Sequence, residues 1–399
     1  MFFADELFGI VYSMISCPFC GSSSVKKNGV DKKEVITKSG NKVYRVQKYR
    51  CTLMHIFRKN VPFSFSDSFI EYVVYVYLRC LSLNTTVDII RATYEKEVLN
   101  KQQVLDFIEL VADALPTLND VDSLFVPRRS GFIALDGVWF SYNDEEIVLL
   151  VAFDPVSFDV IAAHWEKDET GEGYEKLLVD VVNKLGALEI KGAYGDGDNG
   201  LIFSLKKLVP HVPFQLCVVH KEIRMGQFVP IKSMHLSKQF TPQQKHEIKE
   251  FQFLFREVIY AKTKDESSNA LKRLKQYIKF NPNNRFIKAY NSLERNFAYT
   301  LTHFDHPHME RDNNLLECFN GILKPRLNLM KSFKKQENLD RYLKLFLLEF
   351  RFRPLKESRF KERRGATPLE AGDVYLPKYY NFLTFLRERF KLTFQPKNT

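Results

Sequence analysis

The chain has 399 residues, of which 45% are hydrophobic and 27% are charged, with 17 Gly and 16 Pro. These fractions exclude a disordered, collagen-like or low-complexity protein and predict two or three globular domains. The net charge of +11 is uneven: residues 26–59 hold 11 basic and 2 acidic residues, residues 131–220 hold 6 and 15, and residues 321–365 hold 14 and 5. Two basic ends around an acidic middle predict polyanion-binding parts beside a site that collects carboxylates, although solvated surface faces explain the same charges equally well.

The sequence predicts neither a membrane span nor a secretory signal. The longest apolar runs, such as residues 147–153, are far shorter than the roughly 18–20 residues that cross a bilayer. Asp5 and Glu6 stand where a signal peptide has basic residues. We therefore expect an intracellular protein whose cysteines are metal ligands or buried thiols rather than disulfides. The sequence leaves open whether translation starts at Met1 or Met14.

Two short motifs near the N-terminus predict a zinc site. Cys17 and Cys20 form a Cys-x2-Cys knuckle, and Cys51 and His55 follow after 30 residues. Thiolate and imidazole groups at this paired, short spacing are typical of a tetrahedral structural zinc site. A strand predicted just before Cys51 suits a zinc ribbon over residues 1–62. The alternative is a set of buried cysteines without a metal.

Residues 63–126 are predicted to form a small helical unit. Residues 69–78 are apolar almost all round, as in the central helix of a bundle, and shorter helices with polar starts follow near 86–91 and 103–111. Two short helices in succession fit a DNA-binding helix-turn-helix unit, and any three-helix connector gives the same pattern. Residues 116–130, with two prolines and two arginines, resemble a linker.

The pattern then changes to that of an α/β fold. Three strands in succession, followed by alternating helix and strand, indicate a mixed sheet with helices packed on it. The predicted elements are strands at 132–136, 147–153 and 159–163, a helix at 173–185, a strand ending near 196, a helix at 201–208 and a strand at 214–219. Residues 221–305 read as a helical stretch, and helices are predicted again over 314–329 and 339–350.

Three acidic residues are candidates for catalysis. Asp136 is predicted at the end of an apolar strand, where a carboxylate is costly unless it is hydrogen-bonded or binds a metal. Asp196 follows another strand in a glycine-rich turn, and Glu317 lies on a predicted helix with Asn314 and Asn320 on the same face. Convergent carboxylates fit paired Mg²⁺ ions that clamp the attacking and leaving oxygens of a phosphodiester displacement. Taken singly, an aspartate after a strand is more often a turn former.

Five short motifs follow one another in a distinctive order. They are Leu135-Asp136-Gly137, Asp196-Gly-Asp-Asn-Gly-Leu201, Cys217-Val-Val-His220, Asn313-Asn-Leu-Leu-Glu-Cys-Phe-Asn320 and Gly365-Ala-Thr-Pro-Leu-Glu-Ala-Gly372. With these motifs, the sequence from about residue 130 to 372 resembles the Mutator-like transposases, which are found in prokaryotic insertion sequences and in eukaryotic elements. The N-terminal zinc knuckles resemble the subgroup that begins with a zinc ribbon.

The resemblance implies an RNase H-like catalytic core with a metal-holding triad of Asp136, Asp196 and Glu317. It also implies Mg²⁺ or Mn²⁺ as cofactor, strand cleavage at element ends, and transfer of the freed 3′-OH into target DNA. Asp198 competes with Asp196 as a ligand, but Asp196 fits the strand end and the family pattern better. The predicted segments are the zinc ribbon (1–62), the helical DNA-binding unit (63–126), the first part of the core (127–220), a helical insertion (221–305), and the last catalytic helix with basic C-terminal helices (306–399).

Further residues are expected to support the site or to contact DNA. Cys217 and His220 resemble the family's Cys-x2-His signature, and we expect a structural or DNA-positioning role for them; a plain core cysteine is the alternative. Asn314 and Asn320 would orient Glu317 or contact DNA. Basic residues after Glu317 fit phosphate contacts, which position DNA without reading its sequence. They are Lys324, Arg326, Lys331, Lys334, Lys335, Arg341 and Lys344.

The expected partner is double-stranded DNA, both the terminal repeats and the target. Because two ends must be brought together, the resemblance implies at least a homodimer on DNA. We also expect a cytoplasmic, nucleoid-associated location. Two other functions stay open. A transposase-derived zinc-ribbon regulator would bind DNA without cutting it. A host RNase H-like nuclease would cut hybrids or junctions irrespective of terminal repeats.

Overall fold

The computed structural model describes residues 15–59, 61–95, 97–236, 239–328, 335–358 and 360–396. Met1, Met14, Lys331 and Lys334, which figure in the sequence predictions, lie outside these residues. The described chain forms two compact units, one built from residues 15–116 with 379–396 and the other from residues 117–378. No helix of the described ranges combines the length and the apolar character that crossing a membrane requires.

The first unit opens with a three-stranded antiparallel sheet. It consists of β1 (Val25–Thr37), β2 (Gly40–Cys51) and β3 (Ile56–Arg58), in that order. β1 and β2 form a long hairpin whose register pairs Thr37 with Gly40. Gly40 has a φ of +112°, a conformation that glycine adopts without strain, and this allows the tight connection.

Three helices follow in the first unit: α1 (Asp67–Cys80), α2 (Leu83–Tyr94) and α3 (Lys101–Ala114). They confirm the three predicted helices. Ser66, Ser82 and Asn100 cap them by accepting hydrogen bonds from first-turn backbone amides. Phe69 of α1 and Phe107 of α3 pack edge to face in the apolar interior.

The second unit begins with a short helix, α4 (Leu118–Phe125), inside the stretch that resembled a linker. The linker prediction for residues 116–130 is therefore wrong over these eight residues. Thr117 and Asp120 form a capping box, and Val121 is fully buried. This reciprocal cap starts the helix directly after Pro116.

A mixed five-stranded sheet forms the centre of the second unit, and its order is β6-β5-β4-β7-β8. β5 pairs antiparallel with both β4 and β6, whereas β4, β7 and β8 are parallel. A continuous apolar core that includes Tyr174 and Leu201 joins the sheet to two helices. The elements are β4 (Phe132–Tyr142), β5 (Glu145–Asp154), β6 (Asp159–Glu166), α5 (Gly171–Leu185), β7 (Gly192–Gly195), α6 (Asn199–Leu208) and β8 (Phe214–Leu216). The predicted α/β class with a mixed sheet is confirmed.

Two strand predictions need correction. β4 continues to Tyr142, so Asp136 lies inside this strand and not at its end, because residues 137–142 extend the antiparallel hairpin with β5. The strand predicted over 214–219 stops at Leu216, and α7 (Val218–Phe228) begins two residues later. Val218 is β-branched and favours strands, but its burial against helices of the unit overrides that local preference.

A helical region follows the sheet, as predicted. Its aromatic core includes Phe251 and Phe286, whose rings stack with centroids 4.4 Å apart. After α7, the helices of this region are α8 (Ser233–Leu236), α9 (Pro242–Ile259), α10 (Lys264–Phe280), α11 (Asn284–Glu294) and α12 (Thr302–Asp305).

The remaining helices are α13 (Asn314–Asn328), α14 (Gln336–Arg351), α15 (Pro368–Ala371) and α16 (Phe382–Phe390). α13 packs on β4. The last helix, α16, belongs to the first unit and packs on α1, where Arg387 and Thr384 both hydrogen-bond the buried carboxylate of Glu71. Short one-turn 3₁₀ segments occur at Ala187–Glu189, Phe297–Leu301 and Lys361–Arg363.

Candidate active site

The sheet places two of the predicted acidic residues on neighbouring strands. β4 and β7 are parallel, and Ala134 pairs with Tyr194 at the end of their shared register. Asp136 and Asp196 each lie two residues beyond this pair along their own chain direction. Asp136 continues in β4, whereas Asp196 begins the loop that follows β7. The two residues therefore occupy the edge at which parallel strands gather ligands.

Glu317 reaches the same region from the first turn of α13. Asn313, just before this helix, is buried; its backbone amide donates to Cys217 Sγ at 3.3 Å, and its Nδ2 donates to the carbonyl of Leu135 at 3.4 Å. The backbone amide of Glu317 in turn donates to the carbonyl of Asn313. Asn313 thus ties the start of α13 to the strand that carries Asp136.

Asp136, His220 and Glu317 form a compact group. One ligand atom of each lies within 4.8 Å of those of the other two. His220 Nε2 is 3.2 Å from Glu317 Oε1, and Asn320 Nδ2 donates to Asp136 Oδ2 at 2.9 Å. The described structure therefore brings Asp136 and Glu317 together, as predicted, while Asp196 is not a member of this group.

Burial and charge perturb all three groups. Asp136 is only 7% exposed, and this burial, with the nearby charges of Glu317 and Asp196, raises its pKa well above the usual value. The hydrogen bond from His220 lowers the pKa of Glu317. Burial opposes protonation of His220, but hydrogen bonds to Cys217 and Glu317 outweigh it and raise its pKa to about 11. The surroundings of His220 therefore favour its protonated form.

The hydrogen bonds favour Asp196 over Asp198 as the candidate ligand. Asp198 caps α6, and its Oδ1 accepts from the backbone amides of Gly200 at 2.7 Å and Leu201 at 3.3 Å. Asp196 Oδ1 accepts from the backbone amide of Asp198 at 3.0 Å. A carboxylate that satisfies a helix N-terminus is committed to the fold.

Glu169 is an acidic residue of this region that the sequence did not single out. Its carboxylate accepts hydrogen bonds from Trp139 Nε1 at 2.6 Å and from the Tyr174 hydroxyl at 3.3 Å. It lies directly against the backbone of Gly137, the neighbour of Asp136. Partial burial and the charge of Asp196 raise the pKa of Glu169. The Asp-Gly pair in β4 and the nearby tryptophan are the signals that mark its position.

The other predicted supporting residues differ in their surroundings. Cys217 is buried at the N-terminus of α7. Asn320 contacts Asp136 rather than Glu317, and Asn314 is exposed. Lys324 is exposed on α13, close enough for its charge to help lower the pKa of Glu317.

Arg326 does not have the free guanidinium that a phosphate contact requires. It is 3.2 Å from the buried carboxylate of Glu349, and its side chain is only 13% exposed. It also lies over the ring of Phe346, 5.0 Å from the centroid. These contacts give Arg326 a packing role, which corrects the predicted DNA contact.

The N-terminal cysteine motifs form a second candidate metal centre. Ligand atoms of Cys17, Cys20, Cys51 and His55 all lie within 4.8 Å of one another. Cys20 Sγ is 3.7 Å from Cys51 Sγ, and Cys17 Sγ is 3.7 Å from His55 Nδ1. In a tetrahedron with Zn–S bonds of about 2.3 Å, neighbouring sulfurs are about 3.8 Å apart, so the spacing fits zinc.

The electrostatics of Cys17 also suit a metal-bound thiolate. Burial opposes ionisation of this thiol, but hydrogen bonds from Phe19, Cys20 and His55 outweigh it and lower its pKa to about 6. The donor sets of the two centres differ in kind. Three thiolates and one imidazole favour zinc, whereas the carboxylates of Asp136 and Glu317 favour a hard divalent cation.

A buried oxygen atom beside the carboxylates has no hydrogen-bond partner in the described structure. It is Oδ1 of Asn320, the residue whose Nδ2 donates to Asp136. Buried polar atoms normally have partners, and their exceptions cluster at functional or ion-binding sites. The residues present therefore fit a divalent cation.

Comparison with known proteins identifies the family of the chain. A family model, that of the Mutator family of transposases, matches residues 147–352, just over half of the chain. The chain belongs to this family. The matched range contains Asp196 and Glu317, and Asp136 lies shortly before it.

A search among curated proteins gives no significant match. Among solved structures, the chain is similar to a chain in the cryo-EM structure of a simian T-cell lymphotropic virus intasome in complex with the PP2A regulatory subunit B56 gamma. The identity is 13%, the match covers 48% of this chain and 60% of that chain, and the TM-score is 0.19. We draw no conclusion from this similarity because the TM-score is low.

Proposed function

We propose that this transposase cuts DNA at the ends of its element and joins the freed 3′-OH to target DNA by a metal-dependent Asp-Asp-Glu mechanism, on an RNase H-like core. The observation that carries the proposal is the meeting of Asp136 and Glu317, 181 positions apart in sequence, within 4.8 Å of His220. Asp196 follows the neighbouring parallel strand, and its charge contributes to the raised pKa of Asp136.

In the first reaction, water attacks the phosphorus at the element end, the bond to the 3′ oxygen breaks, and a 3′-OH is released. In the second, that hydroxyl attacks a target phosphodiester and displaces a 3′-OH of the target strand. Asp136, Asp196 and Glu317 would hold the divalent ions, Mg²⁺ or Mn²⁺, which when bound stabilise charge on the attacking and leaving oxygens. Asn320 orients the Asp136 carboxylate through its 2.9 Å hydrogen bond, and Asn313 fixes the helix that carries Glu317.

A nicking assay tests this function. The full chain is incubated with Mg²⁺ and a labelled duplex made from the DNA that borders its gene. We expect strand cleavage that depends on the divalent ion, and a loss of at least about 100-fold in Asp136→Asn, Asp196→Asn and Glu317→Gln, the scale seen when charge stabilisation is removed. Full activity in any of the three variants contradicts the triad.

Asp198→Asn is the matched control for Asp196→Asn. It also removes one carboxylate next to the site, but asparagine caps a helix as well as aspartate does. Nicking should therefore stay within about threefold of the wild type. DNA binding without nicking would indicate a regulator instead, and cleavage of RNA–DNA hybrids regardless of terminal sequence would indicate a nuclease.

The first unit would supply a structural zinc ribbon and recognition of the element ends. Support comes from the tetrahedral spacing of Cys17, Cys20, Cys51 and His55 and from the basic surplus of residues 26–59. Because such surplus charge binds DNA with strong salt dependence, binding should weaken steeply as salt rises. Two copies of the chain would hold the two ends.

A further inference from the structure

One face of the β1–β2 hairpin is packed in its middle part, and most of the opposite face is open to solvent. Residues directly opposite in an antiparallel pair point to the same face. On the inner face, Val35 and Val46 are each only 4% exposed, and Lys33 Nζ donates to Ser64 Oγ at 3.0 Å. We define the outer face by four cross-strand pairs: Val30–Gln47, Lys32–Arg45, Glu34–Val43 and Ile36–Asn41.

Exposed valines and paired like charges on the outer face are unusual for a strand surface that contacts only solvent. Val30 is 52% exposed and Val43 is 63% exposed, although a soluble strand normally turns valine inward. Lys32 stands directly opposite Arg45, and both are exposed. Like charges in this position destabilise a sheet. Neither side chain has an ion pair among the described residues, so an external anion would offset their repulsion.

Lys32 and Arg45 are of the residue types that donate to guanine in the major groove, and apolar groups such as the exposed Val30 and Val43 contact the thymine methyl. The other polar side chains of the face are engaged within the hairpin, since Asn41 donates to Glu34 and Gln47 Nε2 donates to two backbone carbonyls. Strands about 4.8 Å apart make a ribbon that enters the roughly 12 Å major groove of B-DNA. The deep, narrow major groove of RNA does not admit one.

We propose that the outer face of the β1–β2 hairpin lies in the major groove of double-stranded DNA and reads its sequence, with Lys32 and Arg45 as the principal base contacts. This inference rests on the proposed function, since it names the surface that would recognise element ends. Exposed basic residues at the two ends of the hairpin would contact the flanking phosphates. They are Lys26, Lys27, Lys38, Lys42 and Arg50.

The experiment uses the full chain and a pool of duplexes with a randomised central segment. The wild type selects its preferred sequence from the pool, and fluorescence anisotropy then gives its affinity for that duplex and for one of arbitrary sequence. We expect Arg45→Ala and Lys32→Ala to lower affinity for the selected duplex about 5- to 150-fold, the loss of one base contact, and to relax the preference at one or two positions.

Arg389→Ala is the matched control, since Arg389 is an exposed arginine on α16 of the same unit. It should change binding by less than about threefold and leave the selected sequence unaltered. Lys26→Ala should weaken binding to both duplexes alike and reduce the salt slope by about one. Unchanged zinc content and melting temperature show that each variant is folded.

Two results would overturn the inference. One is that Arg45→Ala and Lys32→Ala select the wild-type sequence with undiminished affinity. The other is that the wild type binds single-stranded RNA more tightly than duplex DNA. Neither result bears on Asp136 or Glu317, because nicking is measured separately. Conversely, wild-type nicking by Asp136→Asn would refute the proposed chemistry while leaving sequence reading by the hairpin intact.

Discussion

Adding one methyl group at Gly137 tests the packing around the candidate site most directly. A Cβ on this residue would lie 2.1 Å from Glu169 Oε1 and 2.9 Å from Val148 Cγ2, which are distances that real atoms do not adopt. Glu169 would have to move and give up its hydrogen bonds from Trp139 and Tyr174. Replacing a glycine inside a strand by alanine usually raises the free energy of unfolding by about 0.5–1 kcal/mol. We expect Gly137→Ala to lower the free energy of unfolding instead.

The magnitude follows from two losses. Overpacking costs about 1–3 kcal/mol, and each hydrogen bond that is lost costs about 0.5–1.5 kcal/mol. With two hydrogen bonds lost, and after subtraction of the usual gain from replacing glycine, the free energy of unfolding should fall by about 1–5 kcal/mol. With a urea dependence near 3 kcal/mol per M, this corresponds to a midpoint about 1 M lower.

Tryptophan fluorescence measures the effect where it occurs. The chain has only two tryptophans, and Trp139 on β4 and Trp165 on β6 both lie in the central sheet. Their emission during urea denaturation therefore reports the unfolding of this sheet and not of the first unit. Because Trp139 donates to Glu169, its emission should also shift in the folded Gly137→Ala protein.

A double-mutant cycle with Glu169→Ala decides whether the reasoning is right. Removing the Glu169 carboxylate vacates most of the space that the new methyl needs, while the contact with Val148 persists in both backgrounds and cancels. We expect a coupling free energy of about 1–3 kcal/mol between the two substitutions. Additive effects, or a Gly137→Ala protein as stable as the wild type, would refute the proposed contact.

Two further predictions concern the metal centres. Asn320→Ala should raise the Mg²⁺ concentration for half-maximal nicking about 10- to 100-fold, because Asn320 orients the Asp136 carboxylate. Asn314→Ala, at an exposed position of the same helix, should leave this concentration unchanged. Equal effects of the two substitutions would contradict a positioning role for Asn320. Atomic emission should detect one bound zinc per chain in the wild type. Cys51→Ser should abolish this zinc and lower the melting temperature of the first unit. Cys80→Ser, which lies outside the ligand cluster, should leave the zinc content and the melting temperature unchanged. Retained zinc in Cys51→Ser would contradict the ligand set.

The sequence predicts the sheet and most helices well because apolar runs and polar caps dominate their formation. It misplaces Asp136, since its apolar run ends there while the strand continues. Residues 137–142 form the edge of an antiparallel hairpin, and their pairing with β5 is a tertiary feature that periodicity does not encode. The start of α7 at Val218 is missed because Val218 and Val219 are β-branched residues, which favour strands, so the sequence predicts that the preceding strand continues through them.

Motif reasoning finds Asp136, Glu317 and His220 but not Glu169. The three lie in short stretches with distinctive neighbours, so that their types and order can be matched to a family. Glu169 is one of several acidic residues between 166 and 175, and its contact with Gly137 depends on how α5 packs on the sheet. Arg326 shows the converse: its basic neighbours suggest a phosphate contact, while its side chain is packed on Glu349.

Two buried aspartates in the same sheet show why one is a candidate ligand and the other is not. Asp159 is fully buried, but Arg129 lies 2.7 Å and Arg351 3.0 Å from its carboxylate. Burial opposes its ionisation, yet these two guanidinium groups lower its pKa. Among the described residues, Asp136 has only His220 as a nearby cationic group, which it shares with Glu317, and burial outweighs this charge and raises the pKa of Asp136. A buried carboxylate that the fold leaves undercompensated costs stability, and a divalent cation would supply the missing charge. This contrast supports the proposal that Asp136 is a metal ligand, whereas Asp159 is held by its two arginines.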